Sequence, residues 1–276
     1  MTEWLYNLDS WQLASIILMS CLLSSLAMVA VAHRYFHVQI KDKYELISLF
    51  SSSSGVLYSV LLAMITVNAW GNFNQLELIV EDEAYSLGDI YRDVEGYPGP
   101  VRHQMRTQLR RYADTVLNEE WPLLNQGKTT QAVRPITDHL FRIASRFVPE
   151  NAGQAVVHKE VFEKLNSVAH FHRQRVSAVE QSVIPILWLV VWAGAGINLA
   201  INALSLSGHR HLDYFLNGSY AISIGLVIFL IYSLDHPLMG KVSVSHAPFA
   251  TSLKLMDHVD QADAAIPTIT PTVKPR

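Results

Sequence analysis

Residues 46–76, LISLFSSSSGVLYSVLLAMITVNAWGNFNQL, are 31 residues in a row without a charged side chain. As a helix this stretch is about 46 Å long at ~1.5 Å per residue, against a hydrocarbon core of about 30 Å. It can cross a bilayer and still project beyond it. Further on, Phe73, Leu76, Val80, Glu83, Leu87, Ile90 and Val94 recur at a 3-4-3-4 spacing. That spacing marks a helix with one face packed against partners. Its one charged member is Glu83. The stretch therefore reads as a single helix that spans the membrane and continues as a wall of a water-exposed bundle.

Working outward, 50% of the 276 residues are hydrophobic and only 16% charged, against about 25% charged in soluble domains. The deficit sits in four uncharged windows, at 11–32, 46–76, 183–206 and 214–233. Each passes the threshold of about 18 residues for a transmembrane helix. The expected fold is an all-α, four-span membrane helical bundle, with spans at 11–32, 46–73, 183–206 and 212–233. A helical soluble insert at 74–182 separates the second span from the third. Residues 1–10 form an acidic lead in which Trp4 and Tyr6 suit the membrane interface. Ala30-Val31-Ala32 resembles a cleavage site, but 1–10 carries no Lys or Arg and the apolar run is too long for a signal peptide. A net charge of −3 gives no drive toward nucleic acid. The lone Cys21, inside the first span, excludes a disulfide framework within one chain.

Helical periodicity dominates the insert. After Val94, Gly96-Tyr97-Pro98-Gly99-Pro100 breaks the chain. Val101, Met105, Leu109, Tyr112 and Val116 then mark a second helix, expected to stop at Pro122. Val133, Ile136, Leu140, Ile143 and Phe147 mark a third, ended by Pro149. Val157, Val161, Leu165, Val168, His172 and Val179 mark a fourth that is expected to run into the third span. In spans three and four, Gly194, Gly196, Asn198, Asn202, Gly218 and Gly225 are the helix-packing candidates, because small residues let membrane helices approach and amides bond between them. A C-terminal segment follows at 234–262, with a disordered tail at 263–276. The loop 33–45 carries Arg34, Lys41 and Lys43 while the N-terminal lead carries no base, which puts the insert on the extracytoplasmic side.

Few features carry chemistry. Glu83, with Glu81 beside it, is a candidate ion or proton site, since an unpaired buried carboxylate is costly. The alternative is a salt bridge from Glu83 to an arginine of the insert such as Arg110 or Arg111. In span two, Ser54, Tyr58, Ser59, Thr66 and Asn68 are candidates to line a water-filled path, hydroxyls being weak enough ligands to release an ion; the alternative is plain helix packing. His33 and His37 are spaced for chelation from one helix face, but no His-Glu-x-x-His or similar spacing occurs. No metal site, no cofactor and no catalytic residue is expected. Nucleophile elbow, phosphate loop and dinucleotide fingerprint are all missing.

Several stretches in order resemble the bacterial bestrophin-like membrane protein family. They are Tyr58-Ser59-Val60-Leu61-Leu62-Ala63 leading to Trp70, then Glu83-Ala84 with Leu87 and Tyr91, then Glu120-Trp121-Pro122. Arg173-x-Arg175 ahead of Pro185 and Trp188 follows, and Leu234-Asp235-His236-Pro237 with Gly240 and Pro248-x-x-Ser252 closes the series. Leu238 stands where the family pattern has phenylalanine. The resemblance spans roughly 46–250. It implies a four-span protomer of a pentameric anion channel whose second helix lines the pore, with the insert in the cytoplasm, opposite to the charge count.

Two functions stand. One is a homo-oligomeric channel for small inorganic ions, anions by resemblance, in a bacterial plasma membrane. The other is a membrane-anchored sensor or scaffold whose insert binds a partner while no solute crosses. The bilayer is a partner in both.

Overall fold

The structure, a computed structural model, describes residues 10–36, 43–179, 185–207, 209–239 and 243–265. The lead at 1–9, His37, Lys41, Gly240 and the tail from 266 onward lie outside the described residues. The helices are α1 (Ser10–Val31), α2 (Tyr44–Asp93), α3 (Gly99–Thr115), α4 (Arg134–Arg146), α5 (Ala152–Ser177), α6 (Pro185–Ala203), α7 (Arg210–Asp235) and α8 (Ala247–Ala265). Among the described residues there is no strand. The protein is an all-α, four-span membrane bundle with a helical insert. The helices long and apolar enough to cross a membrane are α1, α2, α6 and α7.

α2 is one unbroken helix of 50 residues, about 75 Å long. Neither Pro nor an αL residue interrupts it. It belongs to two compact units in turn. The first comprises 1–75 and 178–244, the second 76–177 and 245–276.

In the first unit, α1, α2, α6 and α7 meet around Ile17, Cys21, Tyr58, Leu62, Val191, Leu199, Ala221 and Ile228. Lipid is as apolar as leucine, so close fit rather than hydrophobicity holds such helices together. Glycine supplies that fit at three places. A Cβ on Gly194 would lie 2.6 Å from the Tyr58 ring, one on Gly225 3.0 Å from Leu18, and one on Gly218 3.4 Å from Leu22. A Cβ on Gly196 would meet nothing within 4 Å among the described residues. Outward, Leu57, Met64 and Val67 on α2 are more than two-thirds exposed.

In the second unit the stripe of α2 is buried from Leu76 to Val94, Glu83 included. α3 does not stop at Pro122. It widens into a π turn, Val116–Glu120, and resumes for one turn at Trp121–Leu124. Pro122 sits in the first turn of that short helix, where its missing N–H has no bond to lose. Asn151 caps α5 by accepting the Gln154 N–H at 2.9 Å, while the Gln154 side chain reaches back to the Glu150 N–H. α5 ends at Ser177 and does not run into α6. Pro185 opens the next helix, and a proline disfavours helix in the residue before it. α8 is a second departure. The expected tail began at Asp263, yet Asp263–Ala265 belong to this helix. Phe249, Ser252 and Met256 bury one face of it. On its other side Asp257, Asp260 and Asp263 pair with Arg110 and Arg106 of α3 at 2.6 to 2.7 Å.

Candidate functional site

Two constellations stand out, one in each unit. The first lies in the second unit, where Glu83, Glu120 and Arg175 are fully buried together. Arg175 Nε donates to Glu83 Oε2 at 2.8 Å, and its Nη2 donates to Glu83 Oε1 and to Glu120 Oε2, both at 3.0 Å. Tyr112 OH donates to Glu83 Oε1 at 2.7 Å, and His172 Nε2 lies 3.0 Å from Glu120 Oε1. The guanidinium is held between aromatic rings, 5.5 Å from Trp121 and 5.4 Å from Phe249. Local structure explains the convergence. The extra residue of the π turn swings Glu120 and Trp121 inward, and α8 brings Phe249.

The electrostatics follow from burial and pairing. Burial opposes the charge on Arg175, but Glu83 first and then Glu120 outweigh it and raise its pKa. Burial alone would raise the Glu120 carboxyl; His172 and Arg175 reverse this and hold it below its ordinary value of 4.5. The Tyr112 phenol is pushed well above its usual range by burial, and further by the Glu83 charge. Both oxygens of Glu83 are thus engaged by donors of this chain. Arg175 is its partner, not Arg110 or Arg111. Arg110 instead binds Tyr91 OH, Asp257 and Asp260, and Arg111 is exposed. Glu81 is half-buried and not part of the cluster. The arrangement locks helices α2, α3 and α5 together and presents no free ligand to an ion.

The second constellation is the hydroxyl-rich part of α2 in the first unit. Tyr58 is buried and donates to the Val191 carbonyl at 2.9 Å. Ser54 donates to Asn198 Oδ1 at 3.1 Å, and Asn198 Nδ2 in turn donates to the Gly194 carbonyl at 2.9 Å. Ser51 reaches Asn202 Oδ1 at 3.4 Å. These groups join α2 to α6 inside the chain. Ser59 and Asn68 are exposed and Thr66 is half-buried, with Ser59 and Thr66 donating to carbonyls of α2 itself. The five path candidates therefore fall on two sides of the helix. The outer side divides again into a small and hydroxyl stripe, Ser52, Val56, Ser59 and Ala63, and a bulkier one, Ser53, Leu57, Val60 and Met64, all exposed.

His33 meets Asp213, with Nε2 3.1 Å from Oδ2. The His33/His37 pair cannot be placed, as His37 lies outside the described residues. Sequence reasoning passed over Asp213, Asn217 and Tyr220 on α7. Their 4-3 spacing on one face of a membrane helix was the available signal.

The fold has known counterparts. The bestrophin-like domain model matches residues 19–249. Among solved structures, a bacterial bestrophin homolog from Klebsiella pneumoniae solved by Zn-SAD phasing is 13% identical, with a TM-score of 0.65 over 90% of this chain and 99% of that one. Two single-substitution variants of the Klebsiella pneumoniae homolog give TM-scores of 0.69 and 0.70, each 12% identical over 88% of this chain and 98% and 99% of theirs. No curated protein matches. With the four spans, the unbroken second helix and a family model covering most of its length, the chain belongs to the bestrophin-like family.

Proposed function

We propose that this chain is the subunit of a homo-oligomeric ion channel in a bacterial plasma membrane, with the small and hydroxyl stripe of α2 lining the path. The carrying observation is that this stripe stays exposed in its own chain, with Ser52, Val56 and Ser59 bordering an open polar groove beside α7 and not packed into it. Ser52, Val56, Ser59 and Ala63 are exposed on the part of the helix that crosses the bilayer. Hydroxyl oxygens and small side chains suit a wetted path, while the neighbouring bulky stripe suits contact with lipid or a second copy. Membership of the bestrophin-like family supports the reading, and the resemblance makes the assembly a pentamer. Of the expected lining residues, Ser59 and Thr66 fall on this stripe, while Asn68 lies one turn beyond Met64 on the bulkier one. Ser54 and Tyr58 are turned into the protomer, where they bond to α6. Between Leu46 and Leu76 there is no charge of either sign to select an ion, so the anion preference rests on resemblance alone.

Purified protein in liposomes should release a trapped salt faster than empty liposomes, and Ser59→Trp should cut that flux at least tenfold. The reversal potential under a salt gradient gives the sign of the permeant ion. Equal flux with and without protein, under several gradients, overturns the proposal in favour of a sensor or scaffold. The side of the insert is read from thiol labelling of Asn166→Cys, an exposed position, since native Cys21 is buried.

A further inference from the structure

Where α2 begins, α6 ends and α7 begins, the first unit forms a polar cavity of about 460 Å³ that is open on one side. That is room for several waters at about 30 Å³ each. Its lining is unusual in what it offers. The hydroxyl proton of Ser52 is committed to the Ser48 carbonyl at 2.9 Å, that of Ser59 to the Val56 carbonyl at 2.8 Å, and that of Ser51 to Asn202 Oδ1 at 3.4 Å. What these hydroxyls turn outward is lone pairs.

Asn217 adds the decisive group. It is 4% exposed, and its Nδ2 donates to the Asp213 carbonyl at 2.9 Å. Only the amide nitrogen can face a carbonyl, so Oδ1 is the opposite end. Among the described residues that Oδ1 has no hydrogen-bond partner, a rare state for a buried polar atom. Asp213 itself is 1% exposed. One of its oxygens accepts the Ser207 N–H at 2.8 Å, and the other lies 3.1 Å from His33. No Lys or Arg lines the cavity.

We propose that this cavity binds a partly hydrated monovalent cation of the sodium or potassium class. Asn217 Oδ1 and the Ser52 and Ser59 oxygens are its ligands, and Asp213 supplies the balancing charge. The Ser205 and Tyr220 hydroxyls could donate to an anion, but it would lie against the Asp213 carboxylate with no Lys or Arg in the lining to offset it. Hard divalent cations gather several carboxylates, and here one carboxylate is already shared with His33 and a backbone N–H. Ser52 and Ser59 belong also to the stripe assigned to the conducting path, so the site deepens that reading, but binding here requires neither conduction nor a particular sign of the conducted ion.

The test uses the full chain in detergent or nanodiscs, with thermal unfolding followed in sodium, potassium, choline and N-methylglucamine chloride. Chloride is held constant so that anion binding cancels. Sodium or potassium should raise the midpoint in a saturable way, with the two organic cations inert. Asn217→Leu should weaken the half-saturating concentration at least tenfold. Because a buried substitution risks the fold, Ser59→Ala at the exposed edge is the second variant, expected to weaken it severalfold with the midpoint in choline unchanged. Thallium in place of potassium should give an anomalous-scattering peak beside Asn217. Equal midpoints in all four salts overturn the proposal, as does a response to calcium or magnesium alone, or an undiminished response in both variants. None of these readouts uses current, so failure here leaves the flux experiment standing, and the reverse.

Discussion

Arg175 is where the second unit is most exposed to a single change. It satisfies Glu83 through two hydrogen bonds and Glu120 through a third, and all three side chains are fully buried. Removing one member of such a set strands charge in an apolar interior. Glu83→Gln or Arg175→Met should each cost about 3–5 kcal/mol of stability, against about 1 kcal/mol for Tyr112→Phe. Chemical unfolding in mild detergent measures this; a loss below 1 kcal/mol for Glu83→Gln would mean the cluster is open to water. The same group sets the acid sensitivity. The carboxyl of Glu120 is held below its ordinary 4.5 in the folded state, so at lower pH the unfolded chain takes up the proton first. Its contribution is complete above pH 4.5 and is lost as pH falls through the depressed folded value. Unfolding midpoints from pH 6 to 3 should therefore drop below 4.5, and Glu120→Gln should flatten that drop. Glu83 announced itself in the sequence as a carboxylate within an apolar stripe. Its partner was legible too, because 165, 168, 172 and 175 continue the 3-4-3 register, but that stripe was read as passing from His172 to Val179. The charge at Arg175 is buried because its pairing with Glu83 and Glu120 offsets the cost of desolvation.

At the scale of helices, continuity was readable and termination was less so. The charge-free run and the apolar stripe that follow one another along α2 share one period, and a shared period with no proline between is enough to specify one helix. Pro122 misled because the π turn just before it restarts the helix, putting proline where it is tolerated. α8 was missed because its buried face holds only Phe249, Ser252 and Met256, and a serine at the centre dilutes the pattern. Its three aspartates spaced by three were the stronger hint, since α3 presents Arg106 and Arg110 to them. Packing of the membrane helices makes a clean comparison between two neighbouring glycines. Gly194→Ala drives a methyl against the buried Tyr58 ring and should destabilise by about 1–3 kcal/mol. Gly196→Ala meets nothing within 4 Å and should be neutral, or stabilising by up to about 1 kcal/mol through helix propensity. Thermal unfolding in one detergent ranks the pair, and equal losses would mean α6 packs in another rotation.

For the molecule as a whole, the four spans and the helical insert were fixed by composition and periodicity, and the order of short motifs pointed to the family. What one chain does not encode in its own contacts is the surface it shares with others. Leu57, Met64 and Val67 are exposed beside the smaller residues of α2, and the assignment of the Ser52, Val56, Ser59 and Ala63 stripe to a conducting path is the central claim. Cysteine scanning along α2 in planar bilayers addresses it directly, on a background whose native Cys21 is buried. Current through Ser52→Cys, Ser59→Cys and Ala63→Cys channels should be blocked by a small charged thiol reagent, while Leu62→Cys and Ile65→Cys, buried against the other spans, should be indifferent. Block at Leu62 or Ile65 with none at Ser59, or current untouched at every position, would contradict the claim.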